Sequence, residues 1–307
     1  MVAWPDPERM RDIAEADVYK SGRFAGTLRR ERDDIVFRYA EAYRADTDAP
    51  QVAFTLPKRN GIFRSTGGSV PAFFAGLLPE GARLAVIENF FLDMAAACGI
   101  RVPDHRLATD RNGQTALFVE RFDRVPGPGG VRRLAQEDAC QVLDRYPASK
   151  YRISLQEAII GLAEAVQAGA GSRRSAVLHM LEIAAFSYLI GNGDLHGKNL
   201  SIRQAPGGIW EVTPAYDLLT TQPYLSWKDP MALSLFGRNN KLHRRWWLEA
   251  AERLGVPARA CDRSLNRIIE AAEPWIDRVI EIGFEEEWSK RLAALIAERR
   301  DHLRQPS

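Results

Sequence analysis

The stretch that most constrains this chain is an apolar segment, Val177 to Ile190, that stops abruptly at Gly191 and Gly193. The residues after it are dense in polar chemistry: Asp194-Leu195-His196-Gly197-Lys198-Asn199, and then Pro214-Ala215-Tyr216-Asp217. Helical spacing predicts one long helix over Arg173–Ile190, with glycine ending it. A short strand pair, Leu200–Arg203 and Ile209–Val212, separates Asn199 from Asp217. Phosphoryl transfer uses a carboxylate to orient the acceptor hydroxyl, and an Asn and a second Asp to hold Mg²⁺ on the phosphates. Protein kinases write the first two as D-x-x-x-x-N. Asp194 and Asn199 have that spacing, and a hairpin between Asn199 and Asp217 folds both onto one ion with near-octahedral demands. The pattern predicts a magnesium site beside a catalytic carboxylate, Asp194. The alternative for Asp194 is an acid in the loop closing a helix. His196 is suited to packing inside the loop and Lys198 to neutralising a phosphoryl group, a point-charge task. Each is equally readable as a solvated loop residue.

The 307 residues are 46% hydrophobic and 27% charged, enough for a sizeable core in one to three domains. A net charge of +2 does not point to nucleic acid. Cys98, Cys140 and Cys261 lie far apart without metal-ligand spacing, as expected of reduced thiols in a cytoplasmic protein. The first residues lack the basic and apolar regions of a leader, and no apolar run is long enough to span a bilayer. The expectation is a soluble protein without a membrane partner.

Along the chain, Ala16–Lys20, Phe24–Arg29 and Ile35–Tyr39 read as short strands separated by turn residues, and Gln51–Leu56 as a fourth strand before a loop, Pro57–Gly68. Arg64-Ser65-Thr66-Gly67-Gly68-Ser69 lacks the G-x-x-x-x-G-K-[ST] pattern and reads as an ordinary loop. Ala72–Leu78 is a short helix candidate and Ala82–Ala97 a longer one, on which Glu88 reads as a solvated carboxylate with a lesser functional reading. His105–Thr109 and Ala116–Phe122 flank an Asn112-Gly113 hairpin signal. The Pro/Gly run Val125–Gly130 breaks regular structure and makes a natural boundary. A strand entering it can turn backbone amides toward an adenine; the alternative is a plain edge strand. Helices are then predicted over Gln136–Asp144, Leu155–Ala168 (capped by Ser154 with Glu157), Arg173–Ile190, Lys241–Leu254, Ala258–Ala272, Glu273–Ile282 and Phe284–Asp301. The expected class is α+β: a small β-rich subdomain over 1–81, a kinase-like small-lobe remnant and hinge over 82–130, and a mainly helical lobe over 131–307.

Other chemistries find little support. The five histidines are dispersed without zinc spacing, and no G-x-S-x-G is present. His179 reads as a half-buried structural residue. His243-Arg244-Arg245-Trp246-Trp247 mixes basic and aromatic groups as nucleic-acid binders do, but on a helix its tryptophans would pack inward and its arginines face water.

Phe73-Phe74-Ala75-Gly76-Leu77-Leu78-Pro79-Glu80-Gly81, Val119-Glu120-Arg121-Phe122-Asp123, Gln136-Glu137-Asp138, the Ile190–Asn199 string and Pro214-Ala215-Tyr216-Asp217 together resemble the HipA family, serine/threonine-kinase toxins of bacterial type II toxin–antitoxin systems. The similarity runs from about Ala16 to beyond Pro223. It implies a two-lobed, protein-kinase-like fold using ATP and Mg²⁺, with Asp194 as catalytic acid/base and Asn199 and Asp217 as magnesium ligands. His196, Lys198, Asn199, Tyr216, Asp217 and Glu120, Arg121 and Phe122 fall at nucleotide contacts. It also implies a HipB-like helix-turn-helix antitoxin that links the kinase to DNA indirectly, and a protein substrate of the aminoacyl-tRNA synthetase class.

One departure stands against this pattern. Family members carry a glycine-rich phosphate loop and a strand with an ATP-binding lysine between the Leu-Pro-Glu-Gly element and the next helix; here Gly81-Ala82-Arg83-Leu84-Ala85-Val86-Ile87 joins the two directly. No lysine lies between Lys58 and Lys150, and the loop serine that members autophosphorylate has no counterpart. The expectation is an internal deletion that removes much of the positioning for phosphoryl transfer. Two further readings remain beside an active kinase: a pseudokinase serving as a protein-binding module, and a small-molecule phosphotransferase, which the N-terminal match disfavours.

Overall fold

The computed structural model describes residues 15–20, 23–31, 34–52, 56–65, 81–109, 115–127, 130–224 and 227–305. They fall into two compact units, 1–80 and 81–307. The Ala72–Leu78 helix, the Asn112-Gly113 turn and most of the Leu-Pro-Glu-Gly element lie outside the described residues.

In the first unit, β1 (Glu15–Lys20), β2 (Arg23–Glu31), β3 (Asp34–Tyr39) and β4 (Ile62–Ser65) form an antiparallel sheet in sequential order. Alternation along the strands buries Ala25 and Phe37 on one face. Tyr39, Tyr43 of the short helix α1 (Glu41–Ala45), Ala49, Val52 and Leu56 complete this small core. Tyr39 satisfies its buried hydroxyl by donating to the Leu56 carbonyl at 2.6 Å and accepting from the Val52 amide at 2.7 Å. These bonds hold part of the segment expected to be the fourth strand as a tyrosine-pinned loop. The fourth strand is β4 instead, within the predicted loop; Phe63 pairs with Phe37 across it.

The second unit opens with α2 (Gly81–Ala97), followed by two hairpins, β5 (His105–Thr109) with β6 (Thr115–Val119), and β7 (Arg124–Gly127) with β8 (Gly130–Arg133). The Pro/Gly run therefore pairs where a break was expected, because Pro126 sits in a two-stranded ribbon with a free edge. β9 (Gln136–Asp138), predicted as helix, instead pairs with β10 (Ser201–Gln204), which pairs in turn with β11 (Trp210–Val212). Asp138 ends β9 and caps the short helix α3 (Ala139–Val142) through a reciprocal bond with Gln141.

Helix α4 (Leu155–Ala168) starts at the predicted Ser154–Glu157 capping box. Helix α5 (Arg173–Ile190) is buried over most of its circumference, which makes it the axis of the unit. It packs among α4, α6 (Arg244–Arg253), α7 (Ala258–Arg278) and α8 (Glu286–Arg304). The two helices expected over 258–282 are one, since Pro274 lies inside α7, with a 3₁₀ turn at Val279–Ile282. Trp247 is fully buried, but Arg244 is buried as well, bonded to Asp262, Asn266 and the Leu303 carbonyl. The basic–aromatic run is therefore partly core. Among the described residues no helix is long and apolar enough to cross a membrane.

Candidate active site

The end of α5 sets the site. Gly191 caps the helix in the left-handed region, φ 76°, and its amide returns to the Ser187 and Tyr188 carbonyls. A Cβ there would stand 2.7 Å from the Gln222 side chain, so the position is restricted to glycine on two grounds. The Gly191 carbonyl accepts from Gln222 Nε2 at 3.2 Å and the Thr221 amide at 3.2 Å. On the far side, Arg299 of α8, buried, donates to the Tyr188 carbonyl at 2.7 Å and the Asp229 carbonyl at 3.0 Å. The loop after Gly191 is thus braced from two directions before any functional side chain is placed.

Buried Asn192 couples the two halves of the motif. Its Oδ1 accepts from the Asp194 amide at 2.9 Å, and its Nδ2 donates to the Asp217 carbonyl at 3.4 Å. Asn199 Nδ2 donates to Asp217 Oδ2, while Asn199 Oδ1 accepts from the His196 amide at 3.2 Å. The β10–β11 hairpin carries the chain from Asn199 round to Asp217, the role its predicted strands imply. Asp217 holds φ 57°, a left-handed conformation uncommon outside glycine but tolerated by Asp.

Asp217's carboxyl is raised above its ordinary range, first by burial and then by the charge of Asp194, with the Asn199 bond opposing. A divalent cation would relieve this cost. Asp217 offers a carboxylate and Asn199 a carboxamide whose oxygen would have to turn from the His196 amide, hard donors of the kind Mg²⁺ takes with substrate phosphates rather than in an all-protein cage. Among the described residues no group of three or more His, Cys, Asp or Glu able to hold a metal occurs. The pair fits magnesium only with a phosphate-bearing ligand.

Tyr151 Oη donates to Asp194 Oδ1 at 2.5 Å. The contact shows that the Asp194 carboxylate can accept from a hydroxyl at hydrogen-bond distance. The Tyr151 ring meets His196 edge-on at 5.2 Å. His196 is buried and its pKa is lowered, mainly by burial and then by the Lys150 charge. It therefore packs neutral within the loop.

Tyr216 fixes the hairpin to the loop: its hydroxyl donates to the Lys198 carbonyl at 2.6 Å and lies 2.7 Å from Ser201 Oγ. Burial pushes this phenol up to about 12. The Phe122 ring lies 5.8 Å from that of Tyr216, and Arg203, paired with Glu211, donates to the Phe122 carbonyl. Of the three residues expected at nucleotide contacts on this segment, Phe122 thus reaches the loop. Arg121 is turned to Asp123 at 2.6 Å, and Glu120 is exposed, its amide bonded to the Asp104 carbonyl. Lys198 is exposed and lies 3.9 Å from Asp138.

Glu88, expected to be solvated, faces Asp217 instead. Its carboxyl is pushed up to about 7 by burial first and by the Asp217 charge second, offset in part by the Asp217 amide. Helical periodicity leaves a half-buried acid ambiguous; only tertiary contact decides it. Tyr151, Asn192 and Arg299 are also beyond what the sequence pattern singles out. Asn192 sits inside the motif, but no spacing rule marks a bridging carboxamide.

The architecture has known counterparts. A solved structure of HipA from Shewanella oneidensis, in a complex with HipB and operator DNA, superposes with a TM-score of 0.55 at 22% identity, covering 94% of this chain and 61% of that one. The fold is accordingly α+β and protein-kinase-like, with a small β-rich N-terminal part. The HipA N-terminal domain model matches residues 16–97 and the HipA-like C-terminal domain model residues 73–276. The chain belongs to the HipA family. Putative kinase Y4mE of Sinorhizobium fredii is 31% identical over 197 residues, 63% of this chain and 46% of its own length. The serine/threonine-protein kinase toxin HipA of Shewanella oneidensis is 31% identical over 179 residues, 54% of this chain and 41% of its own. The chain spans about half the length of these two curated relatives.

Proposed function

We propose that the protein is a HipA-like serine/threonine kinase toxin that transfers the γ-phosphoryl group of Mg-ATP to a protein hydroxyl. The observation that carries this reading is the convergence of Asp194, Asn199 and Asp217, with a hydroxyl already bonded to Asp194 at 2.5 Å. Asn199 and Asp217 would hold Mg²⁺ on the phosphates, and Asp194 would orient and deprotonate the acceptor. Phe122 and Tyr216 would border the nucleotide. The partner that fits is a HipB-like helix-turn-helix antitoxin, and the substrate class implied by the family is an aminoacyl-tRNA synthetase. Purified protein with Mg²⁺ and γ-labelled ATP should label a protein acceptor, and Asp194→Ala should abolish it. Absence of both transfer and nucleotide-induced thermal stabilisation refutes the reading.

One feature favours a second reading, a pseudokinase that binds the antitoxin without turnover: no lysine lies between Lys58 and Lys150, so the strands β5 to β8 carry none. On that reading Asp217→Asn leaves antitoxin co-purification unchanged while no phosphoryl transfer is measured in either protein.

A further inference from the structure

Phosphoryl transfer requires a cation on the phosphates besides the metal, and the strands on one side of this site supply no lysine. Two lysines lie close to the loop. Lys198 is exposed and directed toward Asp138 at 3.9 Å. Lys150 is placed differently. Its carbonyl accepts the Gly197 amide at 3.0 Å, which stitches the segment before α4 to the middle of the catalytic loop. Gly197 permits that approach, since a Cβ there would stand 2.5 Å from Ile153. Lys150 Nζ lies 4.9 Å from the centre of the Tyr151 ring, whose hydroxyl is bonded to Asp194. The Tyr151 side chain thus contacts both the Lys150 ammonium and the Asp194 carboxylate. No Asp or Glu lies within 4.0 Å of it among the described residues, and it bears electrostatically on both Asp217 and His196.

We propose that Lys150 is the phosphate-binding cation of this site, its ammonium meeting the terminal phosphates of a Mg-nucleoside triphosphate from the side of Tyr151. The inference rests on the kinase reading and adds to it the group that replaces the absent strand lysine. Lys150 has the reach and the free charge for this, and the Tyr151 face holds the ammonium near the site without neutralising it.

The test is Mg-ATP affinity of the full chain, measured by calorimetry at two salt concentrations for wild type, Lys150→Met and Lys150→Arg, with melting temperatures alongside. Lys150→Met should weaken binding about tenfold and flatten its salt dependence, as loss of one phosphate-directed charge does. Lys150→Arg should stay within about threefold of wild type. Melting without nucleotide should be unchanged in both. Wild-type affinity in Lys150→Met, or weakening with an unaltered salt dependence, overturns the assignment of Lys150 alone. A wild-type protein that binds no nucleotide overturns the kinase reading, and this inference with it.

Discussion

The loop after α5 and the hairpins β5 to β8 lie in the same unit but are built to different standards. Around Gly191–Leu200 most residues are buried, Asp194, Tyr216 and Asp217 are half-buried, and the polar groups are bonded to one another or braced by Gln222 and Arg299. The hairpins are two-stranded ribbons, with Phe118 52% and Val131 65% exposed. The contrast teaches where preorganisation resides. On the proposed reading, the side that would take the acceptor and the metal is braced by internal bonds, whereas the strand side contributes Phe122 from exposed ribbons. Electrostatic catalysis gains from donors held in place in advance, which is why the proposed reading puts the chemistry on the loop.

The largest expected effect breaks the loop's chemistry. Asp194→Ala should lower phosphoryl transfer by about a thousandfold or more while leaving nucleotide affinity within a few fold, checked by initial rates and calorimetry. Equal rates in mutant and wild type would remove Asp194 from the reaction.

Next comes the bracing. Arg299→Met removes one of the two donors from each of the Tyr188 and Asp229 carbonyls and should destabilise the fold by about 2 kcal/mol, read from urea unfolding. A loss below about 1 kcal/mol would show that α8 does not hold the loop.

Glu88 sharpens the comparison through pH. Its carboxyl titrates at about 7 when folded against an ordinary 4.5, so between those values the native protein keeps a proton that the unfolded chain has released. The resulting contribution to stability is fully present below about 4.5 and is lost as pH rises through 7. Glu88→Gln removes this contribution. Unfolding free energy measured from pH 5 to pH 8 should fall by about 2 kcal/mol more in wild type than in the mutant. Parallel pH profiles would contradict the burial of Glu88 against Asp217.

The smallest effect belongs to the hairpins. Phe118→Ala removes a half-exposed ring stacked on Arg106 and should change stability by less than about 1 kcal/mol, read from the same unfolding curves.

The loop is more legible in the sequence than its surroundings, for physical reasons. The Ser154–Glu157 box and the glycine ending α5 are local signals, and α4 begins and α5 ends where those signals stand. Asp194, Asn199 and Asp217 are visible as a spacing because a single hairpin connects them. The strand β9 is not legible as a strand, since Gln136-Glu137-Asp138 has no alternation and gains its pairing from β10, far along the chain. The break expected between Ala272 and Glu273 fails for a similar reason: packing on α5 and α8 carries α7 through it and past Pro274. Glu88 and the adjacent Lys150 and Tyr151 come near the loop from two separate segments, and no local pattern announces such a meeting.

The most direct test is Mg²⁺-dependent ATP binding by wild type and Asp217→Asn, titrated with and without the metal. Asp217→Asn preserves shape and removes only the charge that burial has raised in energy. If the loop is a working metal–phosphate site, wild type binds ATP at least about tenfold more tightly with Mg²⁺, and the mutant loses that dependence. Affinity that ignores both Mg²⁺ and the mutation, or no binding at all, would contradict it.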